Sequence, residues 1–193
     1  MVEFRRRDGR CANSSTRSAN QVAGKRQRQE RTAELQFVSG ELMQIIRATS
    51  AHVSLVAPLF DLYRQFYKQP SDLEAAAKFI DERLRREESV IFLALKDAAC
   101  SNPALGFTQL YPSFSSTSMR RLWILNDLYV VSAARKLGVG RALMERARQF
   151  AIETGAEGLA LETATDNFTA QRLYEALGWK KDEAFFRYNL LVG

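Results

Sequence analysis

Histidine, cysteine and proline are scarce: 193 residues hold one, two and four of them. The lone His52 argues against a zinc site and against a histidine-based catalytic triad. Cys11 and Cys100 are too few for a disulfide scaffold and carry no metal-ligand spacing. They fit a reducing compartment, so a cytoplasmic location and no metal are expected. Long apolar runs are also missing. Val90–Leu95 is typical of the longest, far short of a bilayer span, and no signal-peptide core opens the chain, so no membrane partner is expected. Acidic residues are sparse at one end only. Residues 1–40 carry nine Lys/Arg against four Asp/Glu, and the remainder 19 against 18. The net charge of +6 therefore belongs to the leading segment, and the near-neutral rest argues against nucleic acid as a partner.

What is present suits one water-soluble domain with a sizeable core: 46% hydrophobic and 26% charged residues. Residues 1–40, rich in Arg, Ser, Asn and Gln, bury too little to offset ordering and read as a basic, flexible extension, with a frayed helix at Lys25–Leu35. A domain follows over 41–193. Met43–Thr49 alternates like a strand. His52–Gln69 places Val53, Val56, Leu59, Phe60, Tyr63, Phe66 and Tyr67 at helical spacing, with Ser50 as cap. Ser71-Asp72-Leu73-Glu74 opens a second helix running to about Glu87. Strands are expected at Val90–Leu95, Ala104–Tyr111, Leu122–Val131, Gly158–Thr163 and Phe185–Val192, with loops at Lys96–Pro103 and Pro112–Arg120. Helices are expected along the stripe Val139, Leu143, Ala147, Phe150, Ala151, stopped by Gly155, and over Phe168–Leu177. Strands and helices alternate only in the second half, which implies a mixed sheet.

The stretch Arg135-Lys136-Leu137-Gly138-Val139-Gly140-Arg141-Ala142 joins a strand to a helix. First-turn amides there lack intrahelical partners and suit a phosphate or pyrophosphate. Gly138 and Gly140 let a ligand approach the main chain, and Arg135, Lys136 and Arg141 add positive charge. A tight turn and nothing more is the plain alternative. No Gly-Lys-Ser/Thr follows, and Leu143 stands where a third Rossmann glycine would be.

The stretch fits an Arg/Gln-x-x-Gly-x-Gly/Ala pattern. Downstream, Asn167-Phe168-Thr169-Ala170-Gln171-Arg172-Leu173-Tyr174-Glu175-Ala176-Leu177-Gly178-Trp179 fits Asn-x-x-Ala-x-x-Leu-Tyr-x-x-x-Gly-Phe/Trp. On these two ordered motifs, residues from about Met43 to Leu191 resemble the GCN5-related N-acetyltransferases. The resemblance implies an α/β (α+β) fold: a mixed, mostly antiparallel central sheet of about six to seven strands flanked by four helices. It implies acetyl-CoA as co-substrate, its pyrophosphate on residues 135–142, and its pantetheine arm between splayed strands beside Leu128 and Val130. A main-chain N–H near Val130 would polarise the thioester carbonyl, and Asn167 would contact CoA, although it also suits a helix cap.

Tyr174 matches the family tyrosine that faces the CoA sulfur and would be the general acid; it also lies on the core stripe Ala170, Leu173, Leu177. Leu125-Asn126-Asp127-Leu128-Tyr129-Val130 is similar to the Leu-Glu-Asp-Phe/Leu-x-Val run of the diamine/polyamine branch, with Asn126 in place of the glutamate that is the usual base candidate. Asparagine cannot usefully accept a proton. Asp127 is then the candidate base or ammonium binder, or a local backbone cap, and Glu162 a second candidate. Burial in an apolar strand should raise a carboxyl pKa toward a useful range. Asn126, Asp127, Tyr111, Glu162 and Tyr67 are expected at the acceptor site, with Tyr63, Phe66 and Phe114 as further wall candidates. The expected activity is direct acetyl transfer in a ternary complex to a small amine, such as a polyamine, amino acid or aminoglycoside. A protein lysine or N-terminal acetyltransferase and a CoA-binding sensor are the alternatives; a homodimer is left open.

Overall fold

The computed structural model describes residues 34–38, 41–96 and 103–192. Cys11, Cys100 and all of the 1–40 extension except 34–38 lie outside them, and so does most of the frayed helix expected at Lys25–Leu35.

Six strands follow in chain order across one sheet: β1 (Glu34–Val38), β2 (Glu41–Arg47), β3 (Val90–Lys96), β4 (Ala104–Ser115), β5 (Arg120–Val130) and β6 (Gly158–Ala160). The β1–β5 neighbours pair antiparallel, and β5–β6 is parallel. Helices α1 (Val53–Phe66) and α2 (Leu73–Arg85) precede β3; α3 (Val139–Glu153) and α4 (Phe168–Ala176) flank β6 in sequence. Strand alternation sorts the core into two layers. Ile91, Leu93 and Phe107 pack with Val56 and Leu59 of α1 and Ile80 of α2. Val90, Phe92 and Ala94 turn the other way, to Leu143, Ala147 and Phe150 of α3.

Four differences from the expected elements have local causes. The sheet begins at Glu34, inside the stretch read as an extension, where Glu34–Val38 finds the edge of β2. Residues 112–115 and 120, expected in a loop or hairpin tip, continue the β4–β5 ladder, leaving the turn to 116–119. β6 stops at Ala160 rather than Thr163, since only Leu122, Trp123 and Ile124 pair with it. Phe185–Val192 is not a strand, and its large apolar side chains are exposed; alternation makes a strand only where a neighbouring edge takes up the backbone hydrogen bonds.

The junction of α1 and α2 hangs on one buried carboxylate. Asp61, 5% exposed, accepts hydrogen bonds from Ser71 Oγ at 2.6 Å, the Asp72 N–H at 2.8 Å and Gln65 Nε2 at 2.9 Å. The Ser71 hydroxyl is thereby engaged, and Asp72 caps α2 by accepting from the Ala75 N–H. Those donors, Ser71 foremost and then the Asp72 amide, hold the Asp61 carboxyl below the usual carboxylate range. Asp61→Asn should cost about 2–3 kcal/mol in urea unfolding at pH 7. The depressed folded pKa places the wild-type contribution above the unfolded carboxyl pKa of about 4. The gap between the two proteins should therefore close as the pH falls through the folded pKa.

Candidate functional site

The β4–β5 ladder carries an irregularity at the centre of the site. Gln109 faces Asp127, yet the next β4 residue, Leu110, faces Leu125. Asn126 is the extra residue of a β-bulge. The bulge inverts the alternation of β5. Trp123 and Leu125 belong to the α3-side core, whereas Tyr129 packs with Phe107 in the α1/α2-side core. Asp127, two residues from Tyr129, therefore faces α1 and α2 and not the apolar underside of α3.

On that side lies a pocket of roughly 300 Å³, walled by aromatic rings from α1, α2 and β4 and floored by Asn126 and Asp127. Phe60, Tyr63, Arg64 and Tyr67 reach it from α1, at the i, i+3, i+4, i+7 spacing of one helix face. Asp127 is 3% exposed, and its buried Oδ2 has no hydrogen-bond partner among the described residues. Oδ1 accepts from Asn126 Nδ2 at 3.2 Å. Burial pushes the Asp127 carboxyl up; the neighbouring Tyr63 hydroxyl and the Asn126 amide pull the other way. Burial and the nearby Asp127 also push up Tyr63, and they raise the Tyr111 phenol to about 12. Tyr63 Oη donates a long hydrogen bond, 3.5 Å, to the Asn126 carbonyl.

Beyond Ile124, β5 has no partner on its β6 side among the described residues, so its edge is open from Leu125 to Val130. Half-buried Leu128 and Val130 pack there against the α3-side core. The turn that follows leads to the N-terminus of α3. Gly138 occupies the N-cap with φ of 87°, a left-handed conformation that suits glycine, and no side chain caps the helix. The Ala142 N–H, expected in the anion cradle, bonds to the Gly138 carbonyl at 3.0 Å; the first-turn amides of Val139, Gly140 and Arg141 precede any such partner. Arg135, Lys136, Leu137 and Arg141 are exposed around them. Arg135 folds back, Nε donating to the Val130 carbonyl at 3.2 Å. At Gly140 the missing Cβ admits protein neighbours more than a ligand: a Cβ there would lie 3.4 Å from Leu173 Cδ2 and 3.8 Å from Val130 Cγ2.

Tyr174, half-buried on α4, packs against the same core beside Trp179. Its phenol is pushed up by burial and then by Tyr67, with a Thr163 hydrogen bond acting against both. Tyr67, near enough to bear on that phenol electrostatically, also lines the Asp127 pocket. Asn167 caps α4, Oδ1 accepting from the Ala170 N–H at 3.3 Å. Asn126, Asp127, Tyr111, Tyr63 and Tyr67 line this one pocket together. Glu162 does not join them: its side chain is 63% exposed and paired with Arg187. Phe114 stands apart, 69% exposed, with Arg121 over its ring. Arg64, Gln69 and Phe79 were not anticipated. The helical spacing around Tyr63 and Tyr67 carried the signal for Arg64; Gln69 and Phe79 arrive only through the fold.

Among the described residues no group of His, Cys, Asp or Glu could hold a metal, and no helix is long and apolar enough to cross a membrane. Residues 56–179 match the sequence model of the acetyltransferase (GNAT) family. The uncharacterized N-acetyltransferase YhfO of Bacillus subtilis (strain 168) is 45% identical over 150 residues, covering 78% of this chain and 98% of that protein. The D-amino-acid N-acetyltransferase HPA3 of Saccharomyces cerevisiae is 30% identical over 135 residues, covering 68% and 81%. A crystal structure of a probable acetyltransferase is 48% identical, covers 77% of this chain and 97% of its own, and superposes with a TM-score of 0.72.

Arg141→Glu sets a negative charge at the α3 entrance without disturbing a buried group. It should weaken binding of CoA, a diphosphate-bearing probe, by about tenfold in calorimetry, and added salt should shrink the difference.

Proposed function

The chain belongs to the acetyltransferase (GNAT) family and uses acetyl-CoA, and on that premise we propose that it acetylates the primary amine of a small molecule by direct attack in a ternary complex. The observation that carries this reading is Asp127: a buried carboxylate with one oxygen unpartnered among the described residues, in a pocket of roughly 300 Å³. Such a volume sits at the lower bound for ligand pockets and supports a small acceptor over a polypeptide.

The residues divide the work by position. Free amides of α3 and the exposed cations beside them suit the pyrophosphate. The open edge of β5 from Leu125 to Val130 offers backbone groups to the pantetheine amides, and its end offers an N–H near Val130 to the thioester oxygen. The acceptor arrives mostly as ammonium, since an alkyl amine has a pKa near that of lysine, about 10. Asp127 takes one proton from it and releases that proton to water. The neutral nitrogen attacks the thioester carbon, so a C–N bond forms as the C–S bond breaks. Tyr174 protonates the departing thiolate and recovers a proton from the amide nitrogen through water. The products are the N-acetyl amide, CoA thiol and one proton. A raised phenol pKa keeps Tyr174 protonated until that step.

A panel of small primary amines with acetyl-CoA, read by thiol release, should show turnover. No thiol release with any of them would overturn the reading. Tyr174→Phe should lower kcat by roughly 10- to 1,000-fold with little change in CoA affinity. Asp127→Asn should lower kcat/KM by about 100-fold or more. Because the folded Asp127 pKa is raised, wild-type kcat/KM should fall as the pH drops through a value above the usual carboxylate range, and this acid limb should vanish in Asp127→Asn.

A further inference from the structure

We propose that the acceptor is a free amino acid with an apolar side chain, and that Arg64 binds its carboxylate. The inference rests on the reading that this pocket takes the amine. Its charged wall residues are Arg64 on α1 and Asp127 on β5, one of each sign. A diamine or aminoglycoside would bring a second cation to a site that offers it a guanidinium. A simple alkylamine would leave the Nε/Nη2 edge of that guanidinium, which Asp61 does not reach, without a partner. A zwitterion of matching polarity satisfies both, its ammonium at Asp127 and its carboxylate at Arg64.

Arg64 is positioned for this. Its Nη1 donates to the Pro70 carbonyl at 3.4 Å and to Asp61 Oδ1 at 3.5 Å. Among the described residues, Nε and Nη2 have no partner, and these two N–H groups share the guanidinium edge that grips a carboxylate in bidentate fashion. Asp61 already takes shorter bonds from Ser71, Gln65 and the Asp72 amide. The Asp61 ion pair therefore orients the guanidinium through Nη1 and leaves the Nε/Nη2 edge available. The Arg64 side chain is 27% exposed, sheltered enough for the contact to strengthen. Tyr63, Tyr67, Phe79 and Tyr111 supply flat apolar walls for the rest of the acceptor.

The test uses the full chain with acetyl-CoA and thiol release. Each common L- and D-amino acid is compared with its decarboxylated amine and its carboxamide. The best acceptors should carry the carboxylate, with kcat/KM at least about tenfold above that of the matching amine. Arg64→Gln should lower kcat/KM for the amino acid by about 100-fold, mainly through KM, and leave the matching amine within about threefold, an internal control for folding. Arg64→Lys should restore part of the loss. A wild-type preference for amines or carboxamides, or an equal loss on both acceptor types in Arg64→Gln, overturns the inference. If uncarboxylated amines turn over in an Asp127-dependent way and Arg64→Gln is neutral, the amino-acid inference falls and the small-amine reading stands. If no small amine of either kind releases thiol, both fall.

Discussion

Where β5 holds two residues against one of β4, the sheet decides which of its faces receives a negative charge. If β5 lacked the bulge, so that Asn126 paired with Gln109, Asp127 would continue the series Trp123, Leu125 into the core layer under α3. With it, the carboxylate turns to α1 and α2, which supply Tyr63, Tyr67 and Arg64. Desolvation then raises its proton affinity without removing the hydrogen bond from Asn126. The local irregularity in pairing and the chemistry of the group next to it are thus one event, and the aromatic pocket is the surrounding that makes it useful.

The second constraint is the parting of β5 from β6. Parallel pairing ends at Ile124, so half of β5 presents its backbone to whatever enters beside it. The same strand ends at the turn that delivers the uncapped α3 entrance. A long ligand with an anionic end and amide-bearing tail meets suitable groups in order along this path. Tyr67, which lines the Asp127 pocket, also bears electrostatically on the Tyr174 phenol.

Much of this was legible in the chain. The glycine turn and the Asn167–Trp179 motif are local signals, carried by residues within one turn and one helix, and they lead to the fold and the CoA site together. Asp127 stood out because a carboxylate in an apolar strand is chemically conspicuous. Other features depended on distant partners. The bulge appears only when β5 is registered against β4, since β5 is apolar on both faces on either side of Asn126-Asp127 and carries no alternation for a bulge to interrupt. Arg64 reads as an ordinary surface cation until Asp61 and Pro70 fix its direction. Glu162 looked like a neighbour of Asp127 because β6 was expected to extend to Thr163; a strand that stops at Ala160 leaves it outside. Phe185–Val192 alternates convincingly and still lacks an edge to join.

Gly140 has a consequence for how the two halves of the site communicate. Its empty side is occupied by Leu173 of α4 and Val130 of β5, with room for a methyl group and little else. Leu173 is the residue before Tyr174. The first turn of α3 and the helix that carries the phenol therefore meet at this position. Side-chain length at position 140 acts as a spacer between them: one longer than a methyl group would press on Leu173 and lever α4, and the phenol with it, away from the α3 entrance.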